Sequence, residues 1–505
     1  MSLAIIKTRA PSGMGAPIVD VEIHISNGLP SLSIVGLPET TVKESKDRVR
    51  SAILNSGFTF PSKRITINLA PADLPKEGGR YDLPIAVGIL VASGQIVNNH
   101  LLDYEFCGEL ALSGDIRPVS SLLSFALQTR AANKQLIFPK ENEIDVSLVA
   151  SDFCLPVGHL NKVAMHLNGT ASIERLVFSG LKSEPDYKID LQDVKGQYFA
   201  KRALEISAAG GHNLLLIGPP GTGKTMLANR LNTILPDLNM DEAIETATIN
   251  SIKGNIKTTK ELFQRPFRAP HHSSSAAALV GGGSNPKPGE ISLANHGVLF
   301  LDELPEYDRN VLEVLREPLE SGKILISRAS RQVEYPANFQ LVAAMNPCPC
   351  GYLGSSLKSC RDTDLQIQRY QAKLSGPLLD RIDLHIEVPE LKKGVLSNTS
   401  IKSESSVDIR KRVNIARKRQ LERQGCTNHT LTVRQLEEFC KLPQEGVALL
   451  ENAMTKLGLS SRSYHKIIKV SRTIADLDEA KTIEIKHLVE ALSYRKCEQY
   501  MQKAS

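Results

Sequence analysis

Apolar residues change their spacing along this chain, and the change predicts its elements. From Val19 to Ser26 and from Ser31 to Val35 they alternate with polar residues, the period of half-buried strands, here read as a hairpin. Thr41 to Ser56 reads as a helix, Arg64 to Leu69 as another strand, Asp82 to Ser93 as a buried helix, and Gln135 to Pro139 as a late strand. Further on, the largely apolar, strand-like segments at 213–217, 297–301 and 339–345 are separated by helical stretches. Strands alternating with helices predict a parallel sheet, with a ligand at its carboxyl edge. From Val407 onward the pattern is helical. The resulting plan is an α+β domain over 1–165, a polar linker over 166–190 and an α/β core over 191–390. A Ser- and Lys-rich linker over 391–406 and a helical, lid-like domain over 407–505 complete it.

The run 213–217 leads into Gly218-Pro219-Pro220-Gly221-Thr222-Gly223-Lys224-Thr225, the phosphate-loop pattern between a strand and a helix. Glycines let the backbone fold around phosphate oxygens, with amides and the helix N-terminus facing the anion. Lys224 is expected on the β- and γ-phosphates and Thr225 on Mg²⁺. The second run ends in Asp302-Glu303, one carboxylate to hold the hydrated Mg²⁺ and one to polarise water. Together they predict a nucleoside-triphosphate hydrolase using Mg²⁺. The third run ends at Asn346, where an NTPase of the AAA+ type places a side chain that orients the attacking water. Arg381, before a further strand, is expected to reach a neighbour's γ-phosphate in trans, and Arg462, at the start of a C-terminal helix, the phosphates in cis. Either arginine could instead form a structural ion pair.

Bulk properties narrow the setting. The 505 residues are 41% hydrophobic and 23% charged, ordinary values for a globular protein with real cores. No run reaches the roughly 18 apolar residues of a membrane helix, and the charged N-terminus is no signal peptide. Eight scattered cysteines argue against a disulfide framework, so the expected compartment is the cytoplasm. The net charge of +6 is uneven: residues 1–165 hold 15 basic and 16 acidic side chains, whereas 392–505 hold 22 and 13, an excess of nine. That asymmetry points to a polyanion partner or to a solvated helix face.

Four longer motifs carry a resemblance. They are Gly196 to Ile206, Arg265-Pro-Phe-Arg-Ala-Pro-His-His272, Pro288 to Gly297 and Ser375-Gly-Pro-Leu-Leu-Asp-Arg-Ile-Asp383. Through them essentially the whole chain resembles the magnesium-chelatase-like AAA+ proteins, and among these the bacterial competence type. The resemblance implies a homohexameric ring ATPase that drives branch migration of single-stranded and branched DNA during transformation, with recombination proteins as partners. It also implies that Glu320 to Tyr335, which reads as a hairpin with a basic tip, projects into the ring's pore. Lys323, Arg328 and Arg331 would then contact phosphates in a sequence-independent, salt-sensitive way. Phe267 to Gly289 resembles the insert beside the pore, with a two-histidine metal site as the rival reading. Asp408 to Gln424 holds seven basic residues against two acidic ones, a DNA-facing or merely solvated helix.

Cys348, Cys350 and Cys360 have the look of a small zinc knuckle, the alternative being a strained loop of free thiols. Members of the family commonly carry a cysteine where this chain has Asp362. The N-terminal region resembles the proteolytic domain of Lon-type proteases, yet Asp82 or a neighbour stands at the serine position and leucine replaces the lysine in Ile116 to Leu123. A scaffold without the catalytic dyad is expected. The rival overall reading is the ATPase motor of a metal chelatase acting on a substrate other than DNA.

Overall fold

Alternation along Ile18–Ser26 buries Val19, Val21, Ile23 and Ile25 on one face, and the computed structural model makes this strand the middle of a sheet. The structure describes residues 2–36, 38–97, 100–176, 187–254, 261–283, 286–328, 331–391 and 403–495. The chain divides into two units. One comprises Met1–Pro185, Asn239–Gln264 and Ser327–Glu334, the other Asp186–Leu238, Arg265–Ile326 and Tyr335–Ser505.

In the first unit seven strands run in the order Ser31–Val35, Arg64–Ala70, Ile18–Ser26, Ser2–Arg9, Tyr104–Phe106, Gln135–Pro139 and Cys154–Val157. Ile23 lies opposite Ala4 on one side and Ile67 on the other, both pairings antiparallel. Ile18–Ser26 therefore has no free edge, and Ser31–Val35 pairs in parallel with Arg64–Ala70 instead of forming the expected hairpin. The helix expected over 41–56 is broken into Thr40–Lys43 and Ser45–Asn55. Helix Asp82–Ala92 is buried along nearly its whole length. At Gly88 a Cβ would stand 2.1 Å from Ile23 Cδ1, so only glycine lets the helix rest this closely on the sheet. Asp82 is fully buried at the start of that helix, 2.8 Å from Arg48 Nε, and accepts the Leu110 amide at 3.2 Å. Burial raises its carboxyl pKa while the Arg48 bond opposes the rise. Leu122 and Leu123 are likewise fully buried.

Helix Met240–Lys253 belongs to this unit although it follows the phosphate-loop helix in sequence. Ile244 and Ala247 pack against the cluster formed by Leu122, Phe125 and Val149. The distal half of the hairpin, Ser327–Glu334, also belongs to this unit, and a Cβ at Gly13 would lie 2.5 Å from Val333 Cγ1. The expected linker residues 177–186 and 392–402 fall outside the described residues.

The second unit is built on a five-stranded parallel sheet. Its order is Phe267–Arg268, Val298–Leu301, Gln340–Met345, Leu214–Ile217 and Leu384–Glu387. Leu216 lies between Ala344 and Ile386, so the strand feeding the phosphate loop is flanked on both sides. Five longer helices follow: Ser406–Gln424, Val433–Phe439, Gln444–Leu457, Ser461–Leu477 and Ile485–Ser493. Leu214, Val342 and Leu384 of the sheet share one hydrophobic cluster with Val413, Ile467 and Leu488 of these helices. Among the described residues no helix is long and apolar enough to cross a membrane.

Candidate ATP-hydrolysis site

Strand Leu214–Ile217 is buried on both faces and delivers the chain to Gly218 at the carboxyl edge of the sheet. A Cβ on Gly218 would lie 2.3 Å from the Val388 carbonyl oxygen, and Gly221 and Gly223 adopt φ of 78° and 91°. Glycine is the residue that takes up these conformations without strain, and the loop they form turns directly into helix Lys224–Ile234. The Lys224 ammonium lies inside the loop, donating to the carbonyls of Gly218 at 2.7 Å and Pro219 at 2.9 Å and to Asn346 Oδ1 at 3.1 Å. Burial lowers its pKa, an effect that Asp302 and Glu303 offset. Thr222 donates to the Pro219 carbonyl at 3.0 Å and braces the turn beside Pro220.

Strand Val298–Leu301, two positions away in the sheet, ends at Asp302 on the same edge. The Thr225 hydroxyl donates to Asp302 Oδ2 at 2.6 Å. A hydroxyl and a carboxylate so placed fit a Mg²⁺ ion bound to nucleotide phosphates. Glu303 has a left-handed backbone, φ 53°, and its amide donates to Asp302 Oδ1 at 2.9 Å. Its carboxylate lies 3.2 Å from His272 Nδ1. Tyr307 donates to the Pro270 carbonyl at 2.6 Å and fixes the segment bearing that histidine. The pairing of His272 with Glu303 was not legible in sequence, because the two residues meet only through the fold.

Lys224, Thr225, Asp302, Glu303 and Asn346 thus converge on one sheet edge. Such a set can cradle phosphates, hold Mg²⁺ and direct a water. Three family models match the chain: magnesium chelatase, subunit ChlI, over residues 190–396; subunit ChlI of Mg-chelatase over 21–142; and the ChlI C-terminal region over 403–495. The protein YifB of Escherichia coli is 53% identical over 98% of this chain and 97% of its own. Competence protein ComM of Haemophilus influenzae is 52% identical over the full length of both. This chain belongs to the ComM/YifB-type magnesium-chelatase-like proteins. The magnesium-chelatase 38 kDa subunit of Cereibacter sphaeroides is more distant, 24% identical over 39% of this chain and 57% of its own. Membership of this AAA+ family implies ATPase activity, with ATP and Mg²⁺ as the customary pair.

The two arginines lie elsewhere. The Arg381 carbonyl accepts from Asn213 Nδ2 at 3.0 Å, which places it at the amino end of the sheet. Five residue steps of about 3.3 Å separate Asn213 from Gly218, so roughly 16 Å of strand intervenes. The Arg381 guanidinium pairs with Glu320 and donates to the Pro377 carbonyl. Arg462 is 3.7 Å from the same Glu320 carboxylate. Four residues on, Lys466 pairs with Asp383 at 3.0 Å, again at that end. The structure thus sets Arg462, expected on the phosphates in cis, beside Glu320 instead. Its helix starts beside the amino edge of the sheet, remote from its own phosphate loop.

Asp383 anchors this edge. It is fully buried, accepts the Asn213 amide at 2.8 Å and lies 2.9 Å from His429 Nδ1. Burial alone would raise its carboxyl, yet Lys466, His429 and His212 hold it well below the usual carboxylate range.

Each basic residue of the helix Ser406–Gln424 has a partner, while Lys411 and Lys418 stay largely exposed. Arg412 reaches Glu205 and Glu404, Arg423 reaches Asp476, and Arg419 reaches Glu479. Arg410 and Arg417 donate to the carbonyls of Thr233 and Ala208. Lys411 and Lys418 pair with Asp408 and Glu422 on the helix itself. In the hairpin, Lys323–Arg328 pairs with Arg331–Pro336 as expected, and Lys323 opens the first strand. Arg328 and Arg331 end the two strands at the tip; residues 329–330 and both arginine side chains fall outside the described part. His271 and His272 stand with ring centroids 4.1 Å apart. Among the described residues, metal-compatible groups occur at Cys348, Cys350, Cys360 and Asp362, and at His212, Asp383 and His429, and the paired histidines belong to neither.

Proposed function

We propose that the chain is one subunit of a homohexameric ring that hydrolyses ATP and uses the energy to move branched DNA, as in the recombination of transforming DNA. The observation that carries the reading is the division of labour across one sheet. Groups suited to nucleotide and water lie on the carboxyl edge, whereas Arg381 and Arg462 lie on the opposite edge, out of reach of that site. A head-to-tail interface supplies the arginines of one subunit to the phosphates of the next, and such interfaces close into rings. In the assembled site Lys224 and the loop amides bind and orient the phosphates. Mg²⁺ between Thr225 and Asp302 would neutralise phosphate charge. Glu303, released from His272, polarises the water that Asn346 helps to orient.

DNA as the substrate is supported by the basic ends of the hairpin strands and by the competence name of the relative that matches over its full length. The Lon-protease-like reading of the first unit is that of a scaffold, since Asp82 is tied to Arg48 inside the core. The deciding experiment is ATP-dependent branch migration of synthetic three- and four-way junctions, with Lys224→Ala as control. Products that require ATP and Lys224 support the reading. An ATPase indifferent to every DNA tested would favour a chelatase-type motor with another substrate.

A further inference from the structure

The loop between Asn346 and helix Asp364–Gln371 folds back on itself so that two short arms meet. One arm is Cys348-Pro-Cys350, the other Cys360-Arg-Asp362. Their sulfurs form a nearly equilateral triangle: Cys348 to Cys350 is 3.4 Å, Cys348 to Cys360 is 3.6 Å and Cys350 to Cys360 is 3.6 Å. Asp362 Oδ2 lies 3.8 Å from Cys360 Sγ, and all four ligand atoms are within 4.8 Å of one another. These are the edges of a small tetrahedron. With zinc–sulfur bonds of about 2.3 Å the ideal sulfur–sulfur edge is about 3.8 Å, and a carboxylate oxygen at about 2.1 Å makes a sulfur–oxygen edge of about 3.6 Å.

We propose that Cys348, Cys350, Cys360 and Asp362 bind one structural zinc ion. Three thiolates select a soft divalent metal, and four ligands in a closed tetrahedron leave no open position for catalysis. Outer contacts hold the ligands in place. The Cys350 amide donates to Asp362 Oδ2 at 2.8 Å, orienting the carboxylate as an outer-shell donor does. Gln371 Nε2 donates to the Pro347 carbonyl at 3.0 Å, and Ser355 binds Glu390 at 2.7 Å.

The loop also touches the nucleotide site. At Gly351, φ 84°, a Cβ would lie 2.8 Å from Pro220 Cδ of the phosphate loop, and Asn346 immediately precedes the knuckle. Zinc would cross-link the two arms and hold Asn346 and the outer wall of the phosphate loop in register. Asp362 supplies the fourth ligand through a carboxylate oxygen one bond farther from Cβ than a cysteine sulfur, with one fewer thiolate.

Metal analysis of the purified full-length protein under reducing conditions tests this directly. About one equivalent of zinc is expected, and exchange for cobalt(II) should give thiolate-to-cobalt charge transfer with a tetrahedral ligand-field spectrum. Asp362→Cys should retain the metal and strengthen the charge-transfer band, as four thiolates replace three. Asp362→Ala should weaken zinc binding by at least the 10- to 100-fold that loss of an outer-shell partner causes. Because neither variant removes a cysteine, the comparison survives if Cys348→Ser fails to fold. Protein that takes up no zinc at micromolar metal, or an octahedral cobalt spectrum without charge transfer, overturns the site. Equal affinity in wild type and Asp362→Ala overturns Asp362 as a ligand.

Discussion

The two edges of the parallel sheet in the second unit are opposites in chemistry and in construction. At the carboxyl edge the polar groups sit on a glycine-bearing loop and at strand ends, and their hydrogen bonds are few and local: Lys224 to two carbonyls, Thr225 to Asp302 and Glu303 to His272. At the amino edge Asp383 is locked in a buried network with Lys466, His429 and the Asn213 amide, and Arg381 and Arg462 stand over Glu320 beside it. One edge carries the groups suited to a phosphate ligand. The other is a rigid mount that carries Arg381, itself mostly buried against Glu320, and the more exposed Arg462. On the proposed reading, one subunit holds both halves of a hydrolytic site but cannot bring them together.

The largest effect should come from the carboxyl edge: Lys224→Ala should abolish ATP binding, measured with a fluorescent nucleotide. At the amino edge, Arg381→Ala should leave that binding within a few-fold and lower turnover by about 10³- to 10⁵-fold. Mixing Arg381→Ala with Glu303→Gln should restore part of the turnover, since some interfaces then join an intact Glu303 to an intact Arg381. No recovery on mixing would break the two-edge comparison. Asp383→Asn should cost about 3–5 kcal/mol in denaturant unfolding, because it strands buried Lys466 without its counter-charge. A loss below about 1 kcal/mol would mean that the edge is not the rigid mount described. The smallest effect concerns neither edge: Arg328→Ala with Arg331→Ala should weaken DNA binding modestly and flatten its salt dependence by one to two phosphate contacts, about 0.7 in logarithmic slope each. An unchanged slope would remove the hairpin from the DNA interface.

Much of the carboxyl edge was legible because its chemistry is local. A phosphate loop must have its glycines and lysine within eight residues, and an acidic strand end is marked by the apolar run before it. The N-terminal hairpin was misread for the complementary reason. Alternation shows that Ile18–Ser26 and Ser31–Val35 each have one buried face, but not which strands lie beside them, and Ser2–Arg9 and Arg64–Ala70 took both neighbouring places. Charge counting could not show pairing either. The seven basic residues of Asp408 to Gln424 suggested a polyanion or solvent, whereas Arg412, Arg419 and Arg423 face acidic partners brought in from outside the helix.

Sequence by itself determined the presence of a nucleotide-binding α/β core, its strand ends and the identity of its reactive groups. These follow from spacing along a few residues of chain and from the burial period of strands and helices. Tertiary structure alone decided that Glu303 meets His272, that three thiols and a carboxylate close a tetrahedron, and that Arg462 stands on the far side of the sheet from its own phosphate loop. The physical reason is that these are distances between residues far apart in sequence. Only the packing of strands and helices into one core sets them.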